Sequence, residues 1–207
     1  MHKLERPEAP RCLGRYRAGR DGWGDVTSPD KTMLWERLDA MQSERCAYCE
    51  VELRQGQRHI EHFRMRSTHP RDTFAWENLF GSCNRPDCCG KHKDPTRHDP
   101  ADLIKPDEDD PDEYLRFLAN GRITPRAGLS ARQVHRAKET VRVFNLNHES
   151  LRWMRYRVVQ GYLFQAEELV AWSEIDQAEY EQYLRRELAA ISGEPFETAI
   201  RHFLTEA

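Results

Sequence analysis

The chain contains no run of about 18 consecutive apolar residues, so nothing in it reads as a membrane-spanning helix. Its first residues, Met1-His2-Lys3-Leu4-Glu5-Arg6-Pro7, lack the apolar stretch of a secretory signal, and a cytoplasmic location is expected. Internal repeats are absent, which argues against a solenoid. Apolar residues are scarce, 38% of 207 positions against 32% charged, and the mean hydropathy is −0.88. Five Trp, eight Phe and seven Tyr nevertheless supply core material, so general disorder is excluded. Excess charge is missing too. A net charge of −3 gives no global pull toward nucleic acid. Locally the pattern differs: residues 126–157 carry eight Lys and Arg against two Glu, and residues 159–207 carry three Arg against ten acids.

What the chain does have is cysteine. Five of its six cysteines (Cys46, Cys49, Cys83, Cys88, Cys89) fall within 44 residues, and Cys12 stands apart. In a reducing compartment such clustering points to metal rather than disulfides. Cys46-Ala-Tyr-Cys49 is a C-x2-C knuckle, able to hold one Zn²⁺ on a tight turn. The second pair of thiolates comes from Cys83-Asn-Arg-Pro-Asp-Cys88-Cys89. Spacing alone favours Cys88 as the fourth ligand, with four intervening residues, over Cys89 with five. Apparent binding free energies of roughly 10–16 kcal/mol would make metal part of the folding of so small a unit.

Between the two pairs lies His59-Ile60-Glu61-His62. A neutral imidazole at His62 could take a proton from water, and Glu61 could hold a hard divalent cation through oxygen. Adjacent strand residues point to opposite faces, so the two serve one site only if the chain bends there. Gly90-Lys91-His92-Lys93 follows the last cysteine as a cationic tail suited to phosphate.

The expected organisation is an arm and short helix over 1–45, a cysteine- and histidine-rich core over 46–99, and an acidic loop, a hairpin and helices over 100–207. Within these, a helix is expected over 32–41 and strands near 46–53 and 57–63. A helix is also suggested within 84–93, and residues 94–112, with four Pro and many acids, read as a linker. The acids around 107–113 read as a solvated loop. Asn120-Gly121 marks a tight hairpin. Ser130 and Gln133 form a capping box for one helix, and Asn147 is placed to cap the next. Two more helices are expected near 176–191 and 195–204. Trp76, Trp153, Tyr156 and Phe164 read as core, whereas Arg152, Arg155 and Arg157 suit either a solvated helix face or a nucleic-acid channel.

CAYCE, HIEHF, WENLFGSC and CGKHK together resemble the zinc-bearing HNH endonucleases, and most closely the PtuB type of the Septu and retron-associated anti-phage systems. The resemblance implies an α+β fold, a ββα-metal (His-Me finger) core inside a mostly helical protein. It assigns His62 as general base, Glu61 as ligand of a catalytic Mg²⁺ or Mn²⁺, and Asn78 as a second ligand or as the residue that pins the loop beside the base. Family register makes Cys46, Cys49, Cys83 and Cys89 the zinc ligands, against the bare spacing. One departure stands out: the third HNH residue, usually His or Asn directly after the last cysteine, is Gly90 here. His92 is the nearest substitute and Asn84 the next. His59 is expected to orient Glu61 or touch phosphate, and Lys91 and Lys93 to hold the nucleic-acid backbone. A partner is implied as well, an ABC-type ATPase of the PtuA kind, with DNA or tRNA as substrate. Two rival functions use the same motifs: a catalytically silent zinc module that binds nucleic acid or protein, and a stand-alone restriction-type HNH nuclease.

Overall fold

The computed structural model describes residues 1–165, 167–168 and 177–206. Helix α1 (Ser28–Gln42) starts four residues ahead of the expected span. Thr27 caps it, its hydroxyl accepting from the Asp30 N–H at 3.3 Å, and Pro29 sits in the first turn, where its missing N–H costs nothing. Leu34 and Leu38 bury one side of the helix. At its end Gln42 accepts from the Gly81 N–H (2.7 Å) and donates to the Gly81 carbonyl (2.9 Å), which ties the helix to strand backbone.

That strand is β2 (Leu79–Cys83), paired antiparallel with β1 (Arg58–His62) so that His59 faces Ser82 and His62 faces Leu79. No alternation announces β2, because all five of its residues are buried. Over 46–53 the expected strand is a knuckle instead. The Cys46 N–H donates to the Val51 carbonyl (2.8 Å) and the Glu50 N–H to the Cys46 carbonyl (3.0 Å), leaving one isolated bridge between Arg45 and Glu52. Helix α2 (Cys89–Lys93) takes only the last half of 84–93, since Cys88 is fully extended (φ −155°, ψ 175°), and it packs on β2.

Strands β3 (Leu115–Phe117) and β4 (Ile123–Pro125) form the second hairpin. Its turn is not the two-residue Asn-Gly type. The Leu118 N–H donates to the Arg122 carbonyl, so three residues, 119–121, make the turn. Gly121 is required twice over: its φ is +78°, and a Cβ there would lie 2.0 Å from the Arg152 carbonyl oxygen.

Helix α3 (Ala131–Val143) carries the expected capping box of Ser130 and Gln133. Helix α4 (Glu149–Gln160) is capped by His148, whose Nδ1 accepts from the Ser150 N–H. Asn147 does something else, exchanging two 2.8 Å hydrogen bonds with the Ile123 backbone. The stripe that α4 buries is Leu151, Arg155 and Val159. Trp153 and Phe164 are therefore surface residues, 59% and 67% exposed, and Trp153 stacks on half-buried Tyr156 at 5.4 Å. Arg155 is no channel residue either. Fully buried, it donates to the carbonyls of Gly121 (2.8 Å) and Leu146 (2.6 Å). Helices α5 (Gln177–Ala190) and α6 (Glu197–Glu206) follow among the described residues, and Asp176, expected within the first of them, lies outside those residues. None of the described helices is long and apolar enough to cross a membrane.

The arm and the acidic segment are fastened to each other. Arg6 pairs with Asp107 at 2.6 Å and donates to the carbonyls of Trp76 and Leu79; the Trp76 indole donates to the Pro7 carbonyl. Residues 103–105 are buried, and the acids expected to be solvated meet cations: Asp109 meets Arg136, and Asp112 meets Arg201 and His202. A single cluster of buried residues draws on the arm, the knuckle, both hairpins and α6.

Glu50 closes the circuit. Fully buried, it pairs with the Met1 ammonium (2.8 Å) and His2 (2.9 Å) and accepts from the Thr198 N–H and hydroxyl. Glu50→Ala leaves those charges and donors unpaired in the interior. It is expected to lower stability by about 3–5 kcal/mol, read from the urea midpoint.

Candidate active site and metal centre

The sulfurs of Cys46, Cys49, Cys83 and Cys89 lie within 4.8 Å of one another, and all four residues are buried. The 3.9 Å between Cys49 and Cys83 is close to the edge of about 3.8 Å that four thiolates make around Zn²⁺ at about 2.3 Å each. The donor set thus fits such an ion. Family register and bare spacing disagree about the last cysteine, and the geometry sides with Cys89. Cys88, also buried, caps α2 from outside the group of four. Cys89 reaches inward because its backbone is left-handed (φ +55°), held by its N–H donating to the Phe144 carbonyl at 2.8 Å. Hydrogen bonds from the other sulfurs, Cys46 first and then Cys49, push the Cys83 thiol down, while burial pushes Cys89 up, so without an ion the negative charge concentrates on one sulfur. Arg155 lies near the same sulfurs. Burial draws its guanidinium down to about 10, and Cys49, Glu50 and Cys89 pull the other way, so it supplies a buried guanidinium that offsets the thiolates. Cys12 takes no part. It sits in the arm, donating to the Asp30 carbonyl at 3.8 Å.

Ser82 joins the sulfur group to the rest of the site. Cys46 Sγ lies 3.9 Å from its hydroxyl, and that hydroxyl accepts from the Gly90 N–H at 3.2 Å. On the other side a cavity of about 590 Å³ is lined by Trp23, His59, Glu61, His62, Arg66 and Lys91, among others. Glu61 and His62 therefore face one space although they are neighbours in β1. His62 is the last residue of the strand, where the chain is released to bend.

His62 is 6% exposed and its Nε2 lies 3.0 Å from the Thr73 carbonyl oxygen. A carbonyl only accepts, so Nε2 carries the hydrogen and the lone pair is on Nδ1. Trp23 meets the ring edge-on at 4.5 Å. Burial draws the imidazole down to about 4; the Thr73 carbonyl opposes this, and the charges of Arg66 and Lys93 add to it. At neutral pH the ring is uncharged and able to accept a proton.

Glu61 is 2% exposed, with Oε1 2.9 Å from the Lys93 ammonium and Oε2 3.4 Å from His59 Nε2. Lys93 is fully buried and also donates to the His62 carbonyl at 3.0 Å. It is expected from sequence to hold phosphate, but it has no surface to do so; it holds the two site residues instead. Exposed Lys91 remains at the cavity wall.

The other expected residues are elsewhere. Asn78 accepts from the Arg64 N–H (2.7 Å) and donates to the carbonyls of Arg64 (3.1 Å) and Asp72 (3.0 Å), so its amide pins the loop that presents Thr73 and is not free for a metal. His92 turns its Nδ1 to the Val143 carbonyl at 2.9 Å, and Asn84 donates to the Arg58 carbonyl at 3.3 Å. Sequence reasoning missed Trp23 and gave Arg155 a different role. The first is an isolated aromatic in Asp-Gly-Trp-Gly-Asp, the only signal that could have marked it. Nothing local marks the second.

No family model matches the chain. Two curated proteins are similar to it. A retron Vc95 protein of Vibrio cholerae serotype O1 biovar El Tor, named for an HNH endonuclease, is 23% identical over 141 residues, 65% of this chain and 67% of that protein. The Septu protein PtuB of Bacillus thuringiensis is 29% identical over 130 residues, 57% of this chain and 47% of that protein, so the match spans less than half of the Septu relative. Both names agree with the resemblance read from the motifs.

The sulfur geometry separates two adjacent residues. Cys89→Ser is expected to lose bound zinc and to become protease-sensitive, whereas Cys88→Ser keeps about one zinc per chain. Metal analysis of the purified variants checks this, and loss in both or in neither contradicts it.

Proposed function

We propose that the chain is a metal-dependent HNH-type endonuclease that hydrolyses phosphodiester bonds of nucleic acid, built on a ββα-metal core. The observation that carries this reading is His62: a buried, neutral imidazole with its lone pair on Nδ1, in the same cavity as the Glu61 carboxylate. The order β1, β2, α2 with a four-sulfur group at its base supports it, as do the names of the two relatives.

His62 Nδ1 takes a proton from water as the water oxygen forms its bond to phosphorus, the bond to the leaving 3′ oxygen breaks, and that oxygen gains a proton from solvent. The phosphate brought in by substrate raises the basicity of the buried ring at the moment it is needed. Glu61 would hold a Mg²⁺ or Mn²⁺ ion, which when bound relieves charge on the phosphoryl oxygens and the leaving group. The Glu61 carboxylate oxygens, at the cavity wall, suit a hard cation. Lys93 fixes Glu61 and the backbone of His62 relative to each other. Lys91 and Arg66, at the cavity wall, are placed to meet phosphate.

The relatives' names support a nuclease role in anti-phage defence; an ABC-type ATPase partner of the PtuA kind, a cytoplasmic location and DNA or tRNA as substrate are part of the same proposal. A chain with a net charge of −3 has little independent affinity for nucleic acid, and a partner that delivers substrate answers that.

Cleavage of DNA and of tRNA by the zinc-loaded chain with Mg²⁺ or Mn²⁺, alone and co-expressed with an ATPase of the PtuA kind, tests the proposal. His62→Ala is expected to lower cleavage about 100- to 10,000-fold with zinc content and melting temperature unchanged. Full phage protection by that variant would instead favour a zinc module that acts by binding.

A further inference from the structure

The HNH pattern asks for a metal-binding side chain directly after the last zinc cysteine, and Gly90 has none. The structure explains why glycine stands there. A Cβ at that position would lie 2.3 Å from Glu61 Oε2, 2.7 Å from Glu61 Cδ and 2.9 Å from His59 Nε2. The space beside the first turn of α2 is already filled, by a carboxylate and an imidazole that both come from β1. They lie two residues apart on one face of that strand, the face that the pleat turns toward α2.

We infer that His59 is a ligand of the catalytic divalent ion, supplying from β1 the donor that Gly90 cannot supply from α2. The inference rests on the endonuclease reading above and adds a residue to it. Three observations carry it. First, His59 Nε2 and Glu61 Oε2 are 3.4 Å apart. That exceeds the about 2.7–3.2 Å of an ordinary N–H···O bond. It is near the edge of about 3.0 Å between neighbouring ligands at about 2.1 Å from one octahedral ion. Second, the ring has no competing attachment: its Nδ1 is buried without a partner, and the whole side chain is only 20% exposed, at the cavity wall. Third, the alternatives are elsewhere or engaged. His92, Asn84 and Asn78 do not line the cavity, the Asn78 amide is spent on backbone, and His62 Nε2 is held by Thr73.

The donor set is one carboxylate and one neutral imidazole, with the remaining positions open to water and phosphate oxygen. Lys93 sits 2.9 Å from Glu61 Oε1, so Oε2 is the oxygen left to face the ion together with His59. The balance of charge before substrate arrives is Glu61 against Lys93. The free chain therefore binds the ion weakly, and nucleic-acid phosphate strengthens the site.

Mn²⁺ titrated into the zinc-loaded full chain, followed by electron paramagnetic resonance, tests this without reference to cleavage. His62→Ala serves as the background, so that the base cannot contribute a nitrogen signal. His59→Ala and His59→Gln are each expected to weaken Mn²⁺ binding about tenfold or more and to abolish the nitrogen hyperfine modulation from a coordinated imidazole. Circular dichroism and zinc content stay unchanged. Glu61→Gln weakens binding but leaves the modulation in whatever Mn²⁺ still binds. Persistence of the modulation and of affinity without His59, with loss on Glu61→Gln, overturns the role of His59 and leaves the endonuclease reading standing. Binding indifferent to both residues overturns the ion site itself.

Discussion

Four sulfur atoms from three separated stretches of chain have to meet in one buried place, and most of the molecule is arranged around that requirement. The knuckle brings Cys46 and Cys49, the end of β2 brings Cys83, and the start of α2 brings Cys89. A group of thiolates in a low-dielectric interior is costly unless neutralised. A divalent ion of the Zn²⁺ type fits the four donors, and buried Arg155 adds a fixed positive charge from α4. The hairpin and α2 are thus locked at their base. His59, Glu61 and Gly90, which converge between β1 and α2 beside that base, inherit its rigidity.

The candidate site shows the same economy of parts. Two of its polar groups are held by residues around them: His62 by the Thr73 carbonyl, on a loop pinned by Asn78, and Glu61 by Lys93. Orientation is therefore built in before any substrate arrives, which is what a positioned general base requires.

The sequence was most legible where chemistry demands particular side chains at particular spacings. Two cysteine pairs and a carboxylate beside a histidine led to residues that the fold does gather. The capping box at Ser130, the helix over 177–190 and the arm laid across the body were readable for similar local reasons. Features set by long-range packing were not. Spacing favoured Cys88, and only the left-handed backbone of Cys89 shows why its neighbour turns inward. The helix pattern placed Trp153 inside and Arg155 at the surface, whereas α4 is rotated so that an arginine fills the interior beside the sulfurs. The acids of 107–113 looked solvated because their partners lie far along the chain, in the arm, α3 and α6. Gly90 looked like a gap in the motif. Its neighbour across space, His59, could be recognised only once β1 was seen against α2.

Trp23 has a consequence for how such a protein can be taken apart. It belongs to the arm, yet its indole forms one wall around the imidazole of β1, while Arg6, further back, clamps the loop that leads into β2. Residues 46–99 transplanted as a minimal cassette would carry the sulfurs and the strand residues but leave one side of the histidine open to bulk water. The candidate site is in this sense discontinuous, and a chimera preserves the surroundings of His62 only when the leading segment travels with the hairpin it covers.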